Sequence, residues 1–180
     1  MSTDPLQPSE EADERQLELA REAGDAFTAA VEYMIEEVAH TGDTREVGDC
    51  LVGFAQEEAE GMYHVEDGEL NWREPGDDEN CHVEVVVASS ADGRFLPGMN
   101  PQVTFEGDEE TVGPVDVPLV WHPGLYHYGV NVSLPGDGTY DLHVEADAPG
   151  FPRHDEENGD RFTEPIDETF EDVDVETGQD

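Results

Sequence analysis

From Gly48 onward the chain is a succession of short β-type runs separated by Gly, Pro and Asp clusters, and this spacing constrains the fold more than any other feature. The clearest unit follows the turn Pro135-Gly136-Asp137-Gly138, where Tyr140, Leu142, Val144 and Ala146 alternate with Asp141, His143 and Glu145. Alternation of period two is the mark of a strand with one face on a core. Strands are expected near 50–56, 81–89, 102–106, 112–120, 128–134, 139–146 and 166–173, with loops over 57–80 and 147–164. Seven short antiparallel strands predict an all-β, Ig-like antiparallel β-sandwich.

Ahead of the strands lies a different pattern. Ser9 is a helix N-cap type, Glu10 and Glu11 suit the positive first turn, and apolar residues from Leu19 to Val38 recur at three- and four-residue steps. The expected organisation is a loose terminus over 1–8, an acidic helical extension over 9–41, a sandwich over 42–175 and a loose tail over 176–180.

Charge limits the partners. The chain holds 47 Asp and Glu against 7 basic residues, all arginine, for a formal charge of −40. The arginines form no stripe, so nucleic acid and anionic membrane surfaces, which need a positive field, are excluded as partners. Carboxylates spread through turns and strands suit a solvent of molar salt, where the Debye length falls to about 3 Å. That points to the cytoplasm of a salt-accumulating cell. No run is long enough to insert in a bilayer and the first 25 residues show no apolar signal core, so the chain reads as cytoplasmic, or as one whose leader was removed. Cys50 and Cys81 read as free, strand-borne thiols.

Carboxylates are too numerous to mark a site, so the seven histidines carry the chemical argument. In His82-Val83-Glu84 the imidazole and carboxylate project from one strand face, as half of a metal site or as a surface pair. His127 shares a face with Gly129 and Asn131, and that glycine marks a close approach to the backbone. His154 lies in a glycine-bounded loop. A set of three histidines and a carboxylate suits Fe(II), Cu(II) or Zn(II), and spacing does not choose among them. No nucleophile elbow, flanked cysteine or phosphate loop is present. Trp121, Tyr126 and Tyr128 offer an alternative, an aromatic platform for a sugar or a protein partner. A metal-dependent enzyme on the same histidines is a third reading.

At these residues the sequence resembles the periplasmic ferrous-iron uptake protein family, Ig-like sandwiches that dimerise and bind copper and iron. The resemblance runs through CHVEVVV (81–87), Met99-Asn100-Pro101, VPLVWHPGLYHYGVNV (117–132), GDGTYDLHV (136–144) and FPRHDEENGDRFTEP (151–165), in what reads as a haloarchaeal-type version. It implies a non-enzymatic iron- or copper-handling protein and a homodimer, working with a metal permease or a metal donor or acceptor protein. Its metal histidines fall on His82, His127 and His154, with Glu84 as acidic partner and Fe2+ or Cu2+ as the ion. Where the family carries a methionine ligand this chain has Leu119. His122 is the first substitute expected, with Met62, His64 and Tyr128 as further ligands or supports. Family members are exported, which conflicts with an acidic helix standing where a signal peptide would be.

Overall fold

The computed structural model describes residues 5–108 and 110–179; residues 1–4 of the expected loose terminus and Asp180 of the expected tail lie outside them. Two antiparallel sheets face each other behind an N-terminal helix. The helix α1 runs Glu14–Tyr33 and continues as a π-helical turn, Met34–Val38. Its cap is Asp13, not Ser9. Asp13 and Gln16 form a reciprocal capping box, whereas Ser9 Oγ accepts from the amides of Glu11 and Ala12 in the turn before it.

Eleven strands follow, β1 (Thr41–Val47), β2 (Cys50–Glu57), β3 (Met62–Glu66), β4 (Glu69–Arg73), β5 (Cys81–Ser89), β6 (Gln102–Glu106), β7 (Thr111–Asp116), β8 (Leu119–Trp121), β9 (Tyr126–Val132), β10 (Gly138–Ala146) and β11 (Ile166–Val175). The first sheet has the order β1-β2-β5-β9-β8 and the second β11-β10-β6-β7. The fold is the expected β-sandwich with an N-terminal helical extension. Five of these elements differ from expectation. β1 was not foreseen, the 112–120 strand divides into β7 and β8, and the 57–80 loop holds a separate hairpin, β3-β4.

The sandwich core is the inner face of each sheet. Val52 and Phe54 of β2, Cys81, Val83, Val85 and Val87 of β5, and Tyr128 and Val132 of β9 meet Val103, Phe105, Leu142, Val144 and Phe170 from the second sheet. Phe54 and Phe170 pack edge to face at 4.7 Å. Cys50 lies opposite Ser89, so the two cysteines stand at opposite ends of β5 and cannot bridge. Burial pushes the Cys50 thiol up to about 11 and the Cys81 thiol up to about 12, which keeps both protonated and inert.

The outer face of the first sheet is buried too, because the helix lies on it. Val31 and Met34 pack on Ala55 of β2 and Val86 of β5, with Phe27, Ile35, Ala39 and Leu125 around them. Gly24 lets α1 approach closely: a Cβ there would stand 1.6 Å from the carbonyl oxygen of Asp92. The α1 layer therefore turns what would be a solvated sheet face into a second, smaller interior.

Candidate metal centre

Strand register assembles the site in that second interior. On β5, His82 and Glu84 point to the outer face because Val83 and Val85, between and beside them, point to the core. Across the ladder Glu84 faces Ala55 on one side and Gly129 on the other, while His82 faces Glu57 and Asn131. His127, two residues before Gly129, projects from the same face of β9. Sequence alternation dictates this arrangement, and the helix packs beside it on Ala55, the cross-strand neighbour of Glu84.

The three side chains converge. His127 Nε2 stands 3.2 Å from Glu84 Oε1 and His82 Nε2 stands 4.0 Å from the same oxygen. One ligand atom from each residue lies within 4.8 Å of the others, which among the described residues is the arrangement able to hold a metal ion. All three are buried: His82 is 0%, His127 1% and Glu84 5% exposed. Yet His82 Nε2, Glu84 Oε2 and His127 Nε2 lack a hydrogen-bond partner. An unsatisfied buried polar group costs about 1–3 kcal/mol, so a cluster of them on the buried outer face of the sheet is a costly arrangement that an ion would relieve.

Two neighbours shape the space. A Cβ at Gly129 would come within 3.0 Å of His82 Nε2 and 3.1 Å of His127 Nε2, so the missing side chain opens the gap between the imidazoles. Asn131 Oδ1 lies 2.9 Å from His82 Nδ1. A carbonyl oxygen only accepts, so the proton sits on Nδ1 and the Nε2 lone pair is free to face an ion.

Burial also sets protonation. It raises the Glu84 carboxyl to about 8, with the charges of Glu57 and Glu60 adding to the effect. Burial lowers His127 to about 4, and the neighbouring His82 and His122 push in the same direction. At neutral pH the metal-free cluster would therefore hold a protonated Glu84 and a neutral His127. An arriving cation displaces the Glu84 proton and finds an imidazole already in its ligating form.

The other expected site residues fall elsewhere. His122 lies at the exposed rim, its ring centroid 5.9 Å from that of His127 and its Nδ1 accepting from the Gly124 amide at 3.1 Å. His154 does not join the cluster within one chain. It is 91% exposed, pairs with Glu11 at 3.1 Å, and lines a cavity beside Phe95 and Phe151. His64 is exposed on the β3-β4 hairpin, and Met62 begins β3 opposite Arg73. Tyr128 points to the core, its hydroxyl donating to Leu96 O at 2.7 Å, so it is neither a ligand nor a free face of an aromatic platform. On β8 the residue opposite His127 is Val120, while Leu119 lies opposite Tyr128 and is half-exposed. Neither supplies a donor atom.

Glu60 is the residue that sequence reasoning missed. Its Oε1 stands 3.5 Å from His82 Nε2. It sits between β2 and β3 in a stretch rich in glutamate, and nothing in that local pattern distinguishes it from Glu57 or Glu58. Asn131 was visible on the His127 face, but its contacts depend on the neighbouring strand.

A profile of the Fe2+ transport protein family matches residues 64–176, more than half of the chain, and takes in His82, Glu84, His127 and Asn131. FetP of uropathogenic Escherichia coli, recombinantly expressed in the periplasm of E. coli, is 19% identical with a TM-score of 0.61, covering 76% of this chain and 94% of its own. Copper-reconstituted P19 of Campylobacter jejuni is 18% identical with a TM-score of 0.63, covering 77% of this chain and 96% of its own. At that identity the two show a common fold. No curated protein sequence matches the chain. Among the described residues no helix is long and apolar enough to cross a membrane. With residues 64–176 matched, the chain belongs to the Fe2+ transport protein family.

Proposed function

We propose that this protein is a non-enzymatic carrier that reversibly coordinates a divalent transition metal, iron foremost, through His82, Glu84 and His127. The observation that supports it most is the buried trio itself, with ring nitrogens and a carboxylate oxygen that find no partner in the protein and a glycine gap between them. Two imidazoles and one carboxylate are the donor set of non-haem Fe(II) sites, and they also accept Cu(II) and Zn(II). Family membership favours iron, and the copper held by P19 keeps Cu(II) as a second cargo. Since Glu84 and any protonated imidazole must lose a proton to bind, release of the ion is favoured by acid.

The proposed setting is that of a homodimer passing its ion to or from a permease or another metal protein, outside the cytoplasm if a leader directs it there. Leu119, Trp121 and Tyr126 are 51%, 69% and 51% exposed on and beside the edge strand β8, an apolar surface suited to a second copy.

The test is metal content after purification in high salt and mild chelator. The wild type is expected to retain one ion per chain and a His82→Ala/His127→Ala variant none, with both remaining folded. Equal metal in the two proteins would place binding on the acidic surface and end this reading.

A further inference from the structure

The helix α1 has two apolar faces, and the sandwich uses one of them. Leu17, Val31 and Met34 are buried, and Gly24 seats the helix against the Asp92 backbone, so the direction of its outward face is fixed. On that face Leu19, Ala23, Ala26, Ala30 and Tyr33 recur at alternating steps of four and three, one stripe along a helix of 20 residues. Leu19 is 47% and Tyr33 65% exposed, and Ala23 and Ala26 between them are exposed as well. In a chain with 47 acidic residues this stripe carries none, while Glu18, Glu22, Asp25 and Glu32 occupy the flank beside it. An exposed apolar strip cleared of charge, with charge kept at its margin, is the pattern of an interface core and its rim. α1 also lies outside the stretch matched by the family profile, which begins at residue 64.

We propose that this face docks on the same face of a second copy, with the two α1 helices antiparallel about a two-fold axis at Ala26. The stripe is complementary to itself in that direction. Leu19 meets Tyr33 of the second copy, Ala23 meets Ala30 and Ala26 meets its own counterpart, so a bulky pair closes each end and the alanines let the axes approach to about 8 Å. The ends carry opposite charge. Arg15, four residues before Leu19, lies between Glu18 and Glu22 of its own helix with its side chain 60% exposed, and Glu37, four residues beyond Tyr33, is exposed too. The antiparallel register sets each Arg15 opposite Glu37 of the other copy, whereas a parallel pair would face arginine with arginine. A helix pair alone covers less than the roughly 800 Å² per partner of a stable interface. Here the face continues, through Phe27 on Phe95 at 5.6 Å and Phe95 on Tyr126 at 6.4 Å, to the exposed apolar residues of β8. The proposal therefore rests on the homodimer of the reading above and not on its metal.

The experiment is disulfide trapping of full-length Ala26→Cys and Ala29→Cys with glutathione disulfide, alongside sedimentation equilibrium and denaturant melts of the wild type and Ala26→Glu. It is run in molar KCl, where a screening length of about 3 Å removes most of the repulsion between two acidic helices. Both native thiols are buried, and Ala29 is exposed on the carboxylate flank, which makes it the control. Ala26→Cys is expected to be trapped as a dimer and Ala29→Cys to stay monomeric on denaturing gels. Ala26→Glu sets two carboxylates against each other at the axis and is expected to weaken self-association about tenfold or more, with an unchanged melt. A dimeric wild type with Ala26→Cys untrapped, or trapped no better than Ala29→Cys, overturns the helix pairing alone. A monomeric wild type overturns it together with the homodimer.

Discussion

Gly129 carries the sharpest consequence at the level of single residues. A methyl group there falls between the two imidazoles at 3.0–3.1 Å, where an ion would stand, although the backbone is ordinary strand. Gly129→Ala is therefore expected to fold and to lose at least about tenfold in metal affinity by isothermal titration; unchanged affinity would show that the ion sits elsewhere. Glu84 gives a pH signature. Its folded carboxyl titrates at about 8, above its ordinary value of 4.5, so between those values the folded metal-free protein holds a proton that the unfolded chain releases. Stability falls as pH rises through that window. His127 has the opposite sign: lowered from 6.5 to about 4, it destabilises the fold as pH falls below 6.5. The two offset one another between 4.5 and 6.5, which leaves the Glu84 loss visible from pH 6.5 to 8, about 2 kcal/mol over that span. Urea melts in chelator should show this decline in the wild type and not in Glu84→Gln; parallel profiles would contradict the buried, protonated carboxyl.

Among the elements, the helix and the hairpin show where sequence patterns suffice and where they do not. The CHVEVVV strand was legible because its own alternation separates His82 and Glu84 from the valines, and the same logic placed His127 opposite the core. The β3-β4 hairpin carried a signal as well. Asp67 and Gly68 take φ values of 51° and 85° in a two-residue turn between Tyr63, Val65, Leu70 and Trp72. Flanking glutamates masked it as loop, and its apolar residues remain exposed, so no buried face marked it as a strand. β1, with the sequence TGDTREV, lacks alternation altogether and exists through its pairing with β2. The docking of α1 on Ala55, which pairs with Glu84, and on Val86 was beyond reach of sequence because it depends on contacts between distant elements. Met34→Ala should cost roughly 2–4 kcal/mol by denaturant melt and speed metal loss to a chelator. A stability loss with unaltered metal release would separate the helix from the site.

For the whole molecule, the charge of −40 lies mostly on the surface, while the carboxylate of the proposed centre, Glu84, is an interior one. We propose that the acidic surface adapts the fold to concentrated salt. The few arginines make ion pairs such as Arg45–Glu168 at 2.8 Å and leave most carboxylates to repel one another. Raising KCl from about 0.1 M to 1 M shortens the screening length from roughly 10 Å to 3 Å. The melting temperature is therefore expected to climb steadily over that range; a flat or falling profile would remove salt adaptation from the account. Metal binding at the buried trio should survive the same salt, since it depends on contact with ligands and not on the long-range field. Ions held by surface carboxylates should be lost.

That contrast leads to the direct test of the central claim, anomalous diffraction at the iron edge from crystals loaded with Fe(II) in high salt. One peak about 2.1 Å from His82 Nε2, His127 Nε2 and a Glu84 carboxylate oxygen is the predicted result. A peak at His154 or on the carboxylate surface, with the trio empty, would contradict it.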